Sequence, residues 1–182
     1  MDKLRCHVIF VVYDFFMEFH NGTSNLPMNR KHLLMKLNWF YSLELNQVDL
    51  YMAQSKAFKG AYESIVFERT AHIEQDHVEN IGDIIKELGG SPTRFGSIVS
   101  PALGKFAGNL VSFFGVEHTL KANILIERKA MKDYTDLINT IGDEYGEELK
   151  RILQHNLVDE DVHTAWFSER LYDYDNIDLR EL

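Results

Sequence analysis

Residues 71–78 read Ala71-His72-Ile73-Glu74-Gln75-Asp76-His77-Val78, and residues 158–164 read Val158-Asp159-Glu160-Asp161-Val162-His163-Thr164. Each stretch carries a glutamate followed three residues later by a histidine. Three residues is close to one helical turn, so both side chains of a pair leave the same helix face. One such pair is common by chance in helical sequences. Here each pair has a further glutamate upstream at a matching distance: Glu44 stands 30 residues before Glu74, and Glu127 stands 33 residues before Glu160. Two antiparallel helices of about 28 residues bring positions so separated to one level. The pattern predicts that Glu44, Glu74, His77, Glu127, Glu160 and His163 meet in one place. Carboxylates supply charge and bridging oxygens, and imidazole supplies a neutral nitrogen. Such donors suit two iron ions, and manganese or a mixed pair is compatible with the same set.

Outward from these stretches the chain reads as helices. A helical pattern runs over 29–58, with Leu33, Leu37, Phe40 and Tyr51 among its apolar positions. Gly60 marks a turn, and a second helix spans 61–88 and ends at Gly89-Gly90, a C-cap signal. Residues 91–115 are Gly- and Ser-rich yet strongly apolar, and a short apolar helix is expected within them. Gly115 precedes a third helix over 116–141, Gly142 breaks it, and a fourth spans 144–171. The three prolines, Pro27, Pro92 and Pro101, interrupt none of these long periodic stretches. The predicted fold is all-α. Its short 1–2 and 3–4 connections and long crossover between helices 2 and 3 match a ferritin-like antiparallel four-helix bundle. The bundle is assigned to 29–172. Residues 1–28 form an N-terminal extension of uncertain structure, and 173–182 an acidic tail expected to fray. The apolar run 8–17 is interrupted by Asp14 and is too short to span a bilayer. It suits a packed or interface segment, or sequence ahead of the domain.

The chain has 182 residues, 45% hydrophobic and 26% charged, enough for one domain with a sizeable core. Its net charge of −9 argues against a nucleic-acid-coating role, which needs a basic surface. The single cysteine, Cys6, excludes an intramolecular disulfide and any CxxC zinc or rubredoxin-type site. A cytoplasmic location is expected. Any one of the six donors, taken alone, reads more readily as a solvated surface residue. Yet Glu44 lies among Phe40, Tyr41, Leu43 and Val48, and Glu127 follows Ile124-Leu125-Ile126. A charge in such an apolar stretch needs a partner. Tyr51 and Tyr134 each stand seven residues after a donor glutamate, two turns along the same face. They suit hydrogen bonds to the donors or an electron relay, and equally plain core packing. Asp76, Asp159 and Asp161 are expected on the solvated face, and His72, His118 and His155 as non-ligands.

The order Glu44, Glu74-x-x-His77, Glu127, Glu160-x-x-His163 resembles the demethoxyubiquinone hydroxylases of the ferritin-like superfamily. The segments Glu44-Leu-Asn-Gln-Val-Asp-Leu-Tyr51 and Glu127-Arg-Lys-Ala-Met-Lys-Asp-Tyr134, and the apolar crossover from Arg94-Phe95 to Gly115, share in the resemblance, which covers about residues 38–167. It implies that Glu74 and Glu160 bridge two irons, that Glu44 and Glu127 are terminal ligands, and that each iron takes one histidine. It also implies hydroxylation of a quinone ring with dioxygen and an external electron donor, at a membrane surface. The chain departs from that family at Tyr41-Ser42-Leu43, where the family has His-Ala-Gly, and at Asp133, where it often has histidine.

Three functions compete. The first is a dioxygen-activating monooxygenase on a quinone-like or other small apolar substrate. Its crossover would lie on a membrane or line a substrate channel, or else pack over the bundle or a homodimer interface. The second is a rubrerythrin- or ferritin-like protein handling peroxide or iron, although nothing in the sequence marks a dedicated cage-assembly helix. The third is a non-enzymatic bundle stabilised by metal.

Overall fold

A computed structural model describes residues 28–94, 101–142 and 145–176, with the side chains of 101–114 and Asp175 outside the description. Among the described residues the regular structure is helical: α1 is Arg30–Ala57, α2 Tyr62–Glu87, α3 Pro101–Thr140 and α4 Gly146–Asn176. The expectations for residues 8–17, for 177–182 and for the surroundings of the crossover's apolar side chains fall outside the described residues.

Local chemistry sets the helix ends. The Asn29 side chain accepts the His32 amide at 2.9 Å, satisfying one of the free N–H groups that open α1. At the end of α2 the Gly89 amide donates to Lys86 and the Gly90 amide to Ile85, both at 2.8 Å. This Schellman closure needs the positive φ of Gly89, 67°. The α3 backbone breaks at Gly115 (φ 75°, ψ 173°), so a helical segment over 101–114 precedes the bundle helix proper. The short helix expected in the crossover is therefore present.

Side-chain contacts give the topology. Ser64 donates to the Ser55 carbonyl at 2.8 Å near one end of the α1–α2 pair, and Arg30 donates to the Leu88 carbonyl at the other. The two helices are antiparallel. Gln54 pairs with Asn123, and Glu44 with Tyr134, so α1 and α3 are antiparallel too. Hence α2 and α3 run the same way, and the chain must return along the bundle between them, a distance of about 40 Å for a 26-residue helix. That is why the crossover is long. Its start is tied to α1 by Thr93 N–H to Asn38 Oδ1 at 2.6 Å and by Arg94 to Asp49 at 2.8 Å.

The core forms two apolar clusters. One contains Leu33, Leu37, Phe40, Ile81, Ile85, Tyr134, Leu137 and Leu153. The other contains Tyr51, Phe67, Ala71, Leu120, Ile124 and Phe167. The fourth helix continues to Asn176, past the sequence-based limit of 171 and into the stretch assigned to a fraying tail. Arg170 donates to Glu63 at 2.7 Å and Tyr174 Oη donates to the same oxygen at 3.0 Å, so contacts to α2 hold the extra turn.

Candidate metal centre

The six predicted donors come together between the two apolar clusters. Glu44 comes from α1, Glu74 and His77 from α2, Glu127 from α3, and Glu160 and His163 from α4. The four glutamates are 0% exposed, His77 1% and His163 5%. Buried carboxylates at this density require cations nearby.

The donors divide into two overlapping sets whose ligand atoms lie within 4.8 Å of one another: Glu44, Glu74, His77 and Glu160, and Glu74, Glu127, Glu160 and His163. In the first, His77 Nδ1 lies 3.0 Å from Glu74 Oε2, 3.6 Å from Glu160 Oε1 and 3.9 Å from Glu44 Oε2. In the second, His163 Nδ1 lies 3.3 Å from Glu74 Oε1, 3.8 Å from Glu160 Oε2 and 3.8 Å from Glu127 Oε1. Glu74 and Glu160 thus each turn one oxygen toward each set. Ligands at about 2.0–2.2 Å from a common ion stand roughly 3–4 Å apart, the spacing seen here.

Several of these atoms have no other use. Glu44 Oε2, Glu74 Oε2, both oxygens of Glu160, both ring nitrogens of His163 and His77 Nδ1 are buried with no hydrogen-bond partner among the described residues. Buried polar atoms are ordinarily satisfied. A group of them converging on two points, with hard anionic oxygens and one imidazole per point, fits two divalent cations. The buried carboxylate and histidine groups can hold two metal ions.

Protons distribute unevenly without cations. Burial, then the Glu160 charge, pushes the Glu44 carboxyl up to about 8, and the same causes hold Glu127 well above the carboxylate range. Burial also works against Glu160, but the close approach of Glu127, His163 and His77 overcomes it and holds that carboxyl at about 2. Burial likewise opposes the imidazolium forms. Close contacts with Glu160 and Glu74 nevertheless lift His163 to about 9, and the hydrogen bond to Asp159 together with contacts to Glu160, Glu44 and Glu74 holds His77 far above its ordinary value.

The tyrosines reach across the bundle. Tyr51 Oη donates to Glu127, and Tyr134 Oη donates to Glu44. Each hydroxyl serves the glutamate of the opposite helix rather than the one seven residues before it. Burial, then the adjacent glutamate's charge, holds both phenols well above their ordinary value, so both stay protonated. Gln47 Nε2 donates to Glu127 Oε2 at 3.2 Å, and Asn156 Nδ2 donates to Tyr134 Oη at 3.1 Å. Sequence reading passed over both. Gln47 lies three residues after Glu44 and Asn156 four before Glu160, spacings that put them on the inward face.

Asp159 corrects an expectation. It is not a bystander on the solvated face: its Oδ2 accepts from His77 Nε2 at 3.2 Å, with the side chain 45% exposed. Asp76, Asp161, His72, His118 and His155 are exposed. A surface depression lined by Asn29, Arg30, Lys31 and Leu34 touches none of the six donors.

The family model for ferritin, described as a ferritin-like domain, matches residues 35–177. No curated protein sequence matches the chain significantly. Among solved structures, the bacterioferritin-related protein of Bacteroides fragilis, described as a dodecameric thioferritin, superposes with a TM-score of 0.67 at 24% identity, over 82% of this chain and 90% of that one. The bacterioferritin of Desulfovibrio desulfuricans, described with a diiron site in different catalytic states, gives 0.68 at 20% identity, over 81% of this chain and 82% of that one. With most of its length matched by the family model and its fold shared with both structures, the chain belongs to the ferritin-like family.

Proposed function

We propose that this protein is a dinuclear iron oxidoreductase in which Glu74 and Glu160 bridge the ions, Glu44 and His77 complete one position, and Glu127 and His163 the other. The observation that carries this reading is the pair of overlapping donor sets, in which each shared glutamate gives one oxygen to each side. The oxidant is dioxygen or peroxide. Support comes from the enclosure: the donors are at most 5% exposed and lie between aromatic and aliphatic layers. Small reactants suit such a chamber. When bound, an iron pair supplies one electron per ion to the oxidant.

The chain's own residues hold the donors in place. Tyr134 and Tyr51 fix the terminal glutamates Glu44 and Glu127, Gln47 adds a second donor to Glu127, and Asp159 orients His77. Hydrogen bonds behind the ligands set their orientation and basicity. The phenols lie one hydrogen bond from the donors, a position suited to passing a proton or an electron to the centre. An external electron donor restores the reduced state.

Peroxide and iron handling is the preferred reading, and it also fits the diiron site described for the Desulfovibrio bacterioferritin. Hydroxylation of a quinone-like or other apolar substrate is the second, supported by the apolar composition of residues 95–114. Among the described residues no helix is long and apolar enough to cross a membrane, so that reading calls for peripheral contact. We also propose self-association, at least to a homodimer. Exposed Ile65, Val158 and Val162, at 64%, 61% and 58%, give apolar surface for it.

The test is single-turnover stoichiometry. The anaerobic Fe(II)-loaded protein is mixed with limiting peroxide or dioxygen, with and without phospholipid vesicles containing a quinone. Iron oxidation at one peroxide per iron pair, unaffected by vesicles, supports peroxide and iron handling. Vesicle binding with oxygen-dependent quinone modification would replace it with hydroxylation.

A further inference from the structure

The two halves of the bundle repeat one donor pattern, with Glu44 matching Glu127, so positions on α1 and α3 can be compared. Ten residues after Glu44 stands Gln54, and ten after Glu127 stands Leu137. Four residues before Glu127 stands Asn123, and four before Glu44 stands Phe40. On one side of the centre the matched positions are thus Phe40 and Leu137, both buried in one apolar cluster. On the other side they are two buried amides.

Gln54 and Asn123 are 2% and 0% exposed. The Gln54 amide donates to Asn123 Oδ1, and the Asn123 amide donates to Gln54 Oε1, both at 2.8 Å. The two bonds close a ring, so each amide fixes the other. Tyr51, Leu120 and Ile124, each within a turn of the pair along its own helix, belong to the second apolar cluster. Apolar contacts carry no direction and yield to sliding. The apolar pattern of α1 is also a weak guide to its seating. Leu45 and Leu50 stand about 100° to either side of the Glu44–Tyr51 face and are half-buried as well. A reciprocal amide pair tolerates one register. One turn nearer the centre, three residues before Gln54 and four after Asn123, Tyr51 donates to Glu127. Gln47 donates to the same carboxylate at 3.2 Å.

We propose that Gln54 and Asn123 are a positioning pair for the metal centre. They lock the register of α1 against α3 at which Tyr51 and Gln47 reach Glu127. The pair adds little to stability as such, because replacing both partners of a buried hydrogen bond by apolar groups of like shape is close to neutral. What it supplies is a single alignment, the best-attested role of a buried polar pair between helices. The proposal rests on the reading that the six side chains hold two ions.

The test measures stability and metal affinity separately, in the full-length protein. Thermal melts of the metal-free form give the first, and Mn(II) titration followed by the electron paramagnetic resonance of the free ion gives the second. The double variant Gln54→Leu/Asn123→Leu should melt at or above the wild-type midpoint yet bind Mn(II) about tenfold or more weakly. Gln54→Leu alone strands the Asn123 amide and should lower the midpoint by about 3–10 °C. The exchanged pair Gln54→Asn/Asn123→Gln keeps both hydrogen bonds and the combined length, and should restore wild-type affinity. Wild-type affinity in the double-leucine variant overturns the proposal. So does failure of that variant to fold, because the pair would then hold the fold itself. An exchanged pair that folds but binds no better than the double-leucine variant overturns it too. A wild type that takes up fewer than two Mn(II) per chain at saturation defeats the two-ion reading, and the proposal with it.

Discussion

Among the described residues, Glu160 contributes two buried oxygens without a hydrogen-bond partner, one toward each histidine, and Glu74 does the same with one of its oxygens unpaired. Truncating either removes a donor from both positions at once. Glu74→Ala and Glu160→Ala are therefore expected to abolish paired metal binding, whereas Glu44→Ala should impair one position more than the other. Metal per chain after gel filtration distinguishes these cases, and full occupancy in Glu74→Ala would refute the bridging assignment. Protonation gives a second prediction at this scale. With Glu44 at about 8 and His163 at about 9, both carry protons at pH 7 in the metal-free protein. Cations bind the deprotonated forms, so loading must expel protons, and affinity must rise as pH climbs from 6 toward 9 and fall in acid. Calorimetric titration in buffers of different ionisation enthalpy measures that release, and heats independent of the buffer would contradict it. The six donors were legible in the sequence because helical periodicity and matched spacing locate them. Asp159 was not. It stands one residue from Glu160, about 100° around α4, and its role depends on where α2 places His77, which no spacing within α4 encodes.

At the scale of elements, the centre depends on helices held in register at their ends. Glu63 in the first turn of α2 has a side chain 3% exposed and accepts from both Arg170 and Tyr174 of α4. Removing the cation leaves a buried acid poorly paired, so Arg170→Ala is expected to cost about 1–3 kcal/mol in a denaturant melt. Burial tends to raise the Glu63 carboxyl, but hydrogen bonds from its own backbone amide, Arg170 and Tyr174 hold it below its ordinary 4.5. Its contribution is thus complete above that value and lost as the pH falls through the depressed one. The stability gap between wild type and Arg170→Ala should shrink in acid. At the other end, a Cβ on Gly90 would lie 2.7 Å from Leu34 Cδ2 and 3.1 Å from Ile85. Gly90→Ala should destabilise by about 1–3 kcal/mol, measured the same way. The ends marked by glycine, at Gly60, Gly89 and Gly115, were readable because those positions adopt backbone angles that other residues resist. The end of α4 was not readable. Its last turn is polar and acidic, and contacts across to Glu63 sustain it rather than any local signal.

For the whole molecule, four fully buried carboxylates inside a helical bundle oppose folding unless something offsets their charge. Cations bind the folded state, so they stabilise it by mass action. Saturation with Fe(II) or Mn(II) at about a hundred times the dissociation constant should raise the thermal midpoint by about 5–10 °C, and a chelator should reverse the shift. A midpoint indifferent to metal would show that the acids are satisfied in some other way. The antiparallel α1–α3 pairing and the crossover it demands place one glutamate from each of four helices at one level, which is the condition for a two-ion site. The most direct measurement is anaerobic loading with Fe(II), counting of bound iron, and admission of oxygen while the absorption spectrum is recorded. The account predicts about two irons per chain and a new near-ultraviolet and visible absorption as the pair is oxidised. Failure to bind stoichiometric iron, or two irons that remain ferrous in oxygen, would contradict it.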